Sequence, residues 1–547
     1  MAISRRDFLS ALAVASAAAP SLTLARSLAP FADDADRVVF KHGVASGDPL
    51  HHKVILWTRI SPRHGFPVVV PVKWRIAWDP RLRHTVHSGV VLTHAGRDFT
   101  VKVDAHGLDP GTTYYYRFEA QGVKSPIGRT RTLPVGAVDR LRLAVTSCSN
   151  FPFGFFNAYG LVAQRADLDA VLHVGDYLYE YANGTFGDGS ALGRLVEPPR
   201  EILTLSDYRL RHATYKSDPD LQEAHRQHPF ITVWDDHESA NDAWRGGAEN
   251  HQPETEGDWE QRKARSIRAY FEWMPIRDRD GEHDREPSVE PIFRRFRFGD
   301  LADLIMLDTR LIGRDMQAAS PADVATINDP TRQLLGARQE RWLFDRLARS
   351  QARDARWRIV GQQVMMAQLS LDFGQSIANP DQWDGYKPAR DRVFASIDEH
   401  RVTNVVVLTG DIHSSWANEL TPNPFDGSYN PATGAGARGV EFITPGVTSP
   451  FLFPDTPEGA AQAAAAAAQI RAISPHIKYA ELFRRGYLLL DVDATRVQAE
   501  WYYPVTIKAR SLTEDFGAAL YAVTGTNHLL RTASPSPARE DAPELAM

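Results

Sequence analysis

Cysteine is all but missing from this chain. Of 547 residues only Cys148 carries a thiol, so no intramolecular disulfide can form even in an oxidising compartment, and stability must come from packing and from any metal held. Positive charge is not in excess either: 62 Lys and Arg against 68 Asp and Glu leave a formal net charge of −6. That balance argues against a nucleic-acid binder, which has to neutralise phosphate backbones. No apolar run is long enough to cross a bilayer; the alanine-rich run at residues 11–19 falls well short of the roughly 20 residues required. The remainder, 43% hydrophobic and 24% charged, is ordinary globular material with length enough for a large core and two domains.

The short apolar run follows SRRDFL at residues 4–9, whose Arg5 and Arg6 form a twin arginine. This resembles a twin-arginine translocation signal, with cleavage expected after Ala25 or Ala29 and residues 1–32 serving as signal and linker. The expectation is therefore a periplasmic or secreted protein, carried out folded by the twin-arginine machinery, with no membrane span in the mature chain.

Residues 37–134 alternate in short runs such as VILWTRI, VKWRIAW and FTVKVDA, separated by Gly, Pro and Asp. No helical period persists there, so the expectation is a small all-β sandwich. The stretch VDAHGLDPGTTYYYRFEA, with Tyr114 to Tyr116, resembles the corner of fibronectin type III-like domains, where a tyrosine hydroxyl ties the corner to upstream backbone. No chemistry is expected of this domain. From residue 140 to 532 strands alternate with helical stretches, including Trp259–Trp273 and an alanine-rich one at 459–473, as in a layered α/β domain. Long insertions at 184–206 and 422–438 are candidate binding loops or lids. Residues 533–547, rich in Pro, Ser, Ala and acids, read as a frayed, disordered tail.

Chemistry gathers at four strand ends. The run at 170–174 ends in Gly175 and Asp176, with Tyr179 three residues on; LRLAVTSCSN delivers Cys148 and Asn150; PFITVWDDHESAN delivers Asp236, His237 and Asn241; NVVVLTGDIHSSW delivers Asp411 and His413. In open α/β sheets, ligands bind at the carboxyl ends of strands. A strand-end carboxylate can bridge two cations, and Asp176 is the candidate bridge. Cys148 as thiolate, Tyr179 as phenolate and His413 as neutral imidazole suit a Lewis-acidic transition metal such as Fe(III). Asp176, Asp236, Asn241 and Asp411 make an oxygen-rich set suited to Ca²⁺ or Mg²⁺. Singly each residue has a plainer reading: Cys148 a small buried hydrophobe, a histidine hydrogen-bonded in the core, an aspartate a helix cap. Packing alone does not account for GD-x-x-Y, W-D-D-H-E and G-D-x-H in this order, each directly after a strand.

GDYLY resembles the GDxxY block of purple acid phosphatases, DDHE stands where calcineurin-like metallophosphoesterases carry GNH(D/E), and GDIH where they carry GHxH. Cys148, Asn150, Asp236 and Asp411 replace the usual residues of those blocks. The substituted set is similar to that of PhoD-type alkaline phosphatases, as are DYRLRHATY, AYFEWMPIR, the twin-arginine signal and the N-terminal sandwich. The resemblance implies a metallophosphoesterase fold, a β-sandwich core with flanking helices, behind a fibronectin type III-like domain. It also implies one Fe³⁺ on Cys148, Asp176, Tyr179 and His413, with Ca²⁺ on Asp176, Asp236, Asn241 and Asp411.

The expected reaction is in-line hydrolysis of a small-molecule or lipid phosphate ester by a metal-held oxygen, serving phosphate acquisition. His237 is expected to bind the phosphate or protonate the leaving oxygen. Asn150 is a candidate substrate contact, and Arg310, at the end of ADLIMLDTR, would pair either with phosphate or with a core carboxylate. Two alternatives stand beside this: a phosphodiesterase or phospholipase D-like enzyme on the same fold, and an exported metal-binding module without catalysis.

Overall fold

The computed structural model describes residues 40–61, 69–278 and 292–547. The expected signal at residues 1–32 lies outside them. Two mixed sheets form the body. In the larger, ten-stranded one the central strands Arg140–Thr146, Ala170–His173 and Pro229–Thr232 run parallel and side by side. The antiparallel strands Tyr487–Asp493, Arg496–Pro504 and Glu514–Val523 extend it on one flank. The second sheet, of seven strands, is built around parallel Ala302–Met306, Trp357–Gly361, Val405–Thr409 and Gly439–Ile443.

Several central strands, such as Val405–Thr409 (VVVLT), Ala170–His173 (AVLH) and Pro229–Thr232 (PFIT), are buried along their whole length because both of their faces are covered. Val145, Leu172 and Ile231 of the larger sheet share one core with Leu304, Ile359, Val406 and Phe442 of the smaller. Outside the seven-stranded sheet, helices Gly336–Ala352 and Lys387–Glu399 bury Leu343, Leu347, Val393 and Phe394 against Ile305, Val360 and Val407. Outside the larger sheet lie helices Asn157–Ala163, Leu205–Tyr215, Pro219–Gln227 and Trp259–Trp273. The last spans the expected residues, started by Asp258, whose carboxylate accepts from Gln261 N–H at 3.0 Å. The alanine-rich helix runs Pro457–Ile473. No helix among the described residues is long and apolar enough to cross a membrane.

The N-terminal unit is an antiparallel sandwich, and its tyrosine corner is present: Asp109 N–H donates to Tyr114 Oη at 2.8 Å. One of its two layers holds Val69–Ala77, Thr85–His94 and Thr113–Ala120. The other, Val44–Gly47, Lys53–Arg59 and Thr100–His106, is the far flank of the ten-stranded sheet, joined through parallel pairs Ser46 with Pro229 and Gly47 with Phe230. Across the same junction Arg294 pairs with Asp48 at 2.7 Å, and Trp57 Nε1–H donates to the Glu272 carbonyl at 2.9 Å.

Residues 533–547 correct the expectation of a frayed tail. They form no helix or strand, yet Arg539 binds Asp169 at 2.6 Å, Tyr115 donates to the Glu544 carbonyl at 2.5 Å, and Ala546 N–H donates to Gln227 at 2.8 Å. Composition misled here because side chains elsewhere in the chain satisfy this segment's polar groups.

Lys216 is buried where the sandwich meets the body. Its ammonium lies 3.2 Å from His225 Nε2, 4.8 Å over the Trp57 ring and 5.2 Å over the Tyr177 ring. Burial pulls its pKa from the ordinary 10.5 to about 7. An unfolded lysine keeps its proton up to about 10.5, so between those values unfolding takes up a proton and stability rises with pH. The contribution is complete above 10.5 and is lost as pH falls towards 7. Each tenfold difference in proton affinity between the folded and unfolded chain is worth about 1.4 kcal/mol. Lys216→Met should therefore be roughly 2–4 kcal/mol more stable than the parent at pH 7, with little difference at pH 10.5. Urea midpoints at the two pH values check this; a gap independent of pH would show that Lys216 does not titrate there.

Candidate metal centre

The carboxyl ends of the three parallel strands in the larger sheet, and of Val405–Thr409 in the smaller, meet at one place. A backbone bridge between Ser147 and Gly446 joins the two sheets there. Immediately after its strand each segment turns sharply. Cys148, Asp176, Asp411 and His413 all hold left-handed backbone, with φ of 57°, 56°, 60° and 56°. Such conformations cost on the order of 1–3 kcal/mol each and persist where the surroundings enforce them, as at binding sites. Gly175, at φ +113°, has to be glycine: a Cβ would stand 2.4 Å from that of Asp235.

Three groups of possible ligands result, each with its donor atoms within 4.8 Å of one another: Cys148, Asp176 and His413; Asp176, Asp236 and His237; Asp235, Asp236 and Asp411. Asp176 belongs to two groups, as a bridge must, and Asp236 links the second to the third. Tyr179 Oη donates to Asp176 Oδ2 at 2.9 Å, lies 3.0 Å from His413 Nε2, and accepts from Ser449 at 2.7 Å. His413 Nδ1 is held by the Pro450 carbonyl at 2.7 Å, which leaves Nε2 facing the group.

The donor set fits a cation. Asp176 Oδ1 is buried with no hydrogen-bond partner, as is Asp235 Oδ2. Burial first, and then the Asp176 carboxylate, push the Cys148 thiol and the Tyr179 phenol well above their usual values. The protein alone keeps both protonated, and a cation among them is what would turn them into strong ligands.

His237 packs against Tyr179, with ring centroids 4.3 Å apart and planes tilted by 35°, and its Nδ1 lies 2.7 Å from Glu180 Oε2. Burial alone would lower its pKa, but Glu180, Asp236 and Asp176 outweigh that and hold it well above 6.5. Glu180 also accepts from the Asn241 N–H at 2.7 Å and from Asn250 at 2.9 Å. The Asn241 side chain donates to Glu249 at 3.3 Å.

Two expected substrate contacts are otherwise engaged. Arg310 is fully buried and resolves its two readings in favour of carboxylates: 2.5 Å to Asp235, 2.9 Å to Asp381 and 2.6 Å to Asp411, with Asp236 at 3.7 Å. A guanidinium so surrounded is the counter-ion of the acidic groups. Asn150 donates its Nδ2 to the Phe186 carbonyl at 3.1 Å, and its Oδ1 is buried without a partner. Of the two long insertions, 184–206 reaches the centre through Phe186. In 422–438, Tyr429 donates to Glu419 at 2.6 Å and Arg438 lies 2.5 Å from Asp398.

Sequence reasoning passed over Glu180, Asp235, Glu238 and Asp381. Glu238 accepts from the backbone of Asp176, Tyr177 and Asp235 at 3.2, 2.6 and 2.8 Å, tying two strand ends together. Burial, with Asp176 next, raises it to about 8. Glu180, Asp235 and Glu238 stand inside the motifs already singled out and were legible as extra carboxylates. Asp381 has no local signal.

Comparison with known proteins agrees with this geometry. A family model described as PhoD-like phosphatase matches residues 143–501, and one described as its N-terminal domain matches 24–134. Alkaline phosphatase D of Bacillus subtilis (strain 168) is 36% identical over 517 residues, spanning 91% of this chain and 84% of the relative. A solved structure of PhoD superposes with a TM-score of 0.79 at 34% identity, covering 91% of this chain and 92% of the other.

Proposed function

Since the chain belongs to the PhoD-like phosphatase family, we propose that it is a metal-dependent alkaline phosphatase that hydrolyses phosphate esters. The observation that carries this is the sharing of Asp176 between two adjoining groups of buried ligands, the arrangement that two-cation phosphoryl transfer requires. Cys148, Asp176, Tyr179 and His413 would hold Fe³⁺, the harder set Asp176, Asp236, Asn241 and Asp411 would hold Ca²⁺, and donor softness supports the division. When bound, the cations would neutralise charge on the phosphoryl oxygens and make hydroxide available near neutral pH. The chain's own residues supply the rest. Glu180 takes His237 Nδ1 and fixes the ring, which leaves Nε2 to bind the phosphate or to protonate the departing oxygen. Arg310 keeps Asp235 and Asp411 oriented and offsets their repulsion. Export by the twin-arginine route and a role in phosphate acquisition complete the proposal, supported by Arg5 and Arg6.

The test is elemental analysis of protein purified without chelator, with p-nitrophenyl phosphate turnover before and after chelation, on the parent and on His237→Ala. The parent should contain iron and calcium, lose turnover with its calcium and regain it on addition. His237→Ala should keep its metals and lose roughly two or more powers of ten in kcat. Metal loss in the variant would make His237 a ligand instead, near-normal turnover would remove it from the reaction, and a metal-loaded parent without turnover would sink the phosphatase reading.

A further inference from the structure

Phe186 lies near the start of the 184–206 insertion, in the Gly184–Gly187 turn, beside the two histidines of the centre. Its ring centroid is 6.4 Å from that of His237 and 6.3 Å from that of His413, with planes inclined by only 13° and 26°. Tyr181 and Tyr179 stand 5.6 Å from it, and Phe153 stands 5.5 Å away on its other side. Tyr179 is buried, but Phe153, Tyr181 and Phe186 are only partly so. The result is a continuous aromatic wall that starts at the ligand cluster and runs outward.

The wall is fixed in place. Asn150 holds the Phe186 carbonyl, and Gly184 N–H donates to the Gly187 carbonyl at 3.2 Å to close the turn around it. Gly187 has φ +98°, and a Cβ there would stand 2.6 Å from the Phe153 ring. Phe153, Tyr181 and Phe186 stay partly exposed beside the buried carboxylates and imidazoles of the centre, the mixture typical of a site that orients a ligand by polar groups and holds its body by apolar ones.

We propose that Phe186, with Tyr181 and Phe153, is the surface that receives the leaving group, and that it favours esters of flat aromatic alcohols over small polyol phosphates. The proposal rests on the phosphate-ester reading above. With the phosphoryl group at Asp176 and Asp236, and the ester oxygen at His237, the remainder of the ester leaves the centre alongside the ring nearly parallel to that histidine. A flat group stacks on it, whereas a polyol gains nothing there and gives up hydration.

The experiment compares kcat/KM for phenyl phosphate and glycerol 3-phosphate in the parent, Phe186→Ala, Phe186→Leu and Phe186→Tyr, each with its metal content measured. The inherent reactivity of each ester cancels in the ratio of variant to parent. Phe186→Ala and Phe186→Leu should lose roughly tenfold or more on phenyl phosphate, chiefly in KM, and less than about twofold on glycerol 3-phosphate, the size expected for one stacked ring. Phe186→Tyr should restore the parent's preference. Equal losses on both esters, or no loss on either, would overturn the proposal, since the first is what a purely structural ring predicts; so would a leucine variant that matches the parent. A parent that turns over neither ester strikes the phosphatase reading itself, an outcome distinct from all of these.

Discussion

Asp176→Asn is expected to abolish turnover by at least roughly a thousandfold and to strip at least one class of metal from the protein. The losses measured for residues that merely orient a ligand, about 10- to 100-fold, set the lower reference. Asp176 is the carboxylate common to the Cys148–His413 and Asp236–His237 groups, and its Oδ1 is buried without a protein partner. An amide of the same shape fills the same space but brings no charge and only one acceptor oxygen, so it cannot serve two cations. Fold and stability should respond in the opposite sense. Without metal the substitution removes a buried anionic acceptor from a cluster of carboxylates, so the metal-free variant should unfold no earlier than the metal-free parent. Elemental analysis, steady-state kinetics and urea unfolding of both proteins check the three parts. A variant holding its full metal content and within tenfold of the parent's turnover would end the bridging role.

The second large effect belongs to Arg310, and it is one of stability. Arg310→Met keeps the volume and removes the one guanidinium that bonds Asp235, Asp381 and Asp411 together, all of them buried. Leaving buried charges uncompensated in this way costs about 3–5 kcal/mol. Arg314, which also bonds Asp381, remains, so the loss falls on Asp235 and Asp411. Burial already pushes the Asp235 carboxyl well up; Arg310 opposes this, and Asp236, Asp176 and Asp411 add to it. Without the arginine, nothing would oppose that rise. Asp235, Asp236 and Asp411 can also gather round an ion, so millimolar calcium should recover part of the deficit in Arg310→Met and change the parent's urea midpoint less. An unchanged midpoint in the variant without calcium would show that the arginine is not what stabilises these carboxylates.

The strand-end motifs were readable because each is local: an apolar run, a turn, then a ligand, with Cys148, Asp176 and His413 fixed by position rather than by distant contacts. Helix Trp259–Trp273 was readable for the same reason, with its capping aspartate in place. What escaped is what arrives from elsewhere. Glu180 acquires its role only when His237, from another strand, comes to lie beside it. Arg310 stayed ambiguous because a sequence shows an arginine but not the three carboxylates that surround it. The tail looked unfoldable by composition because its partners, Tyr115, Asp169 and Gln227, lie hundreds of residues away. The continuity of the two domains was illegible for the same reason, since the parallel pairing of Ser46 with Pro229 leaves no local trace.

That pairing sets a timetable for the chain as it is made. Strand Val44–Gly47 is synthesised early and finds Lys53–Arg59 at once through antiparallel pairs, but its other edge waits for Pro229–Thr232, about 180 residues later. At 5–20 residues per second this interval is on the order of ten to forty seconds. Throughout it the nascent sandwich offers an unpaired row of backbone groups, a template for wrong partners. Asp236 and His237 follow the strand that finally covers this edge. The event that silences the hazard therefore also brings one of the centre's four strand ends into position, and a ribosome that pauses between these segments prolongs the exposure and delays the assembly of the centre.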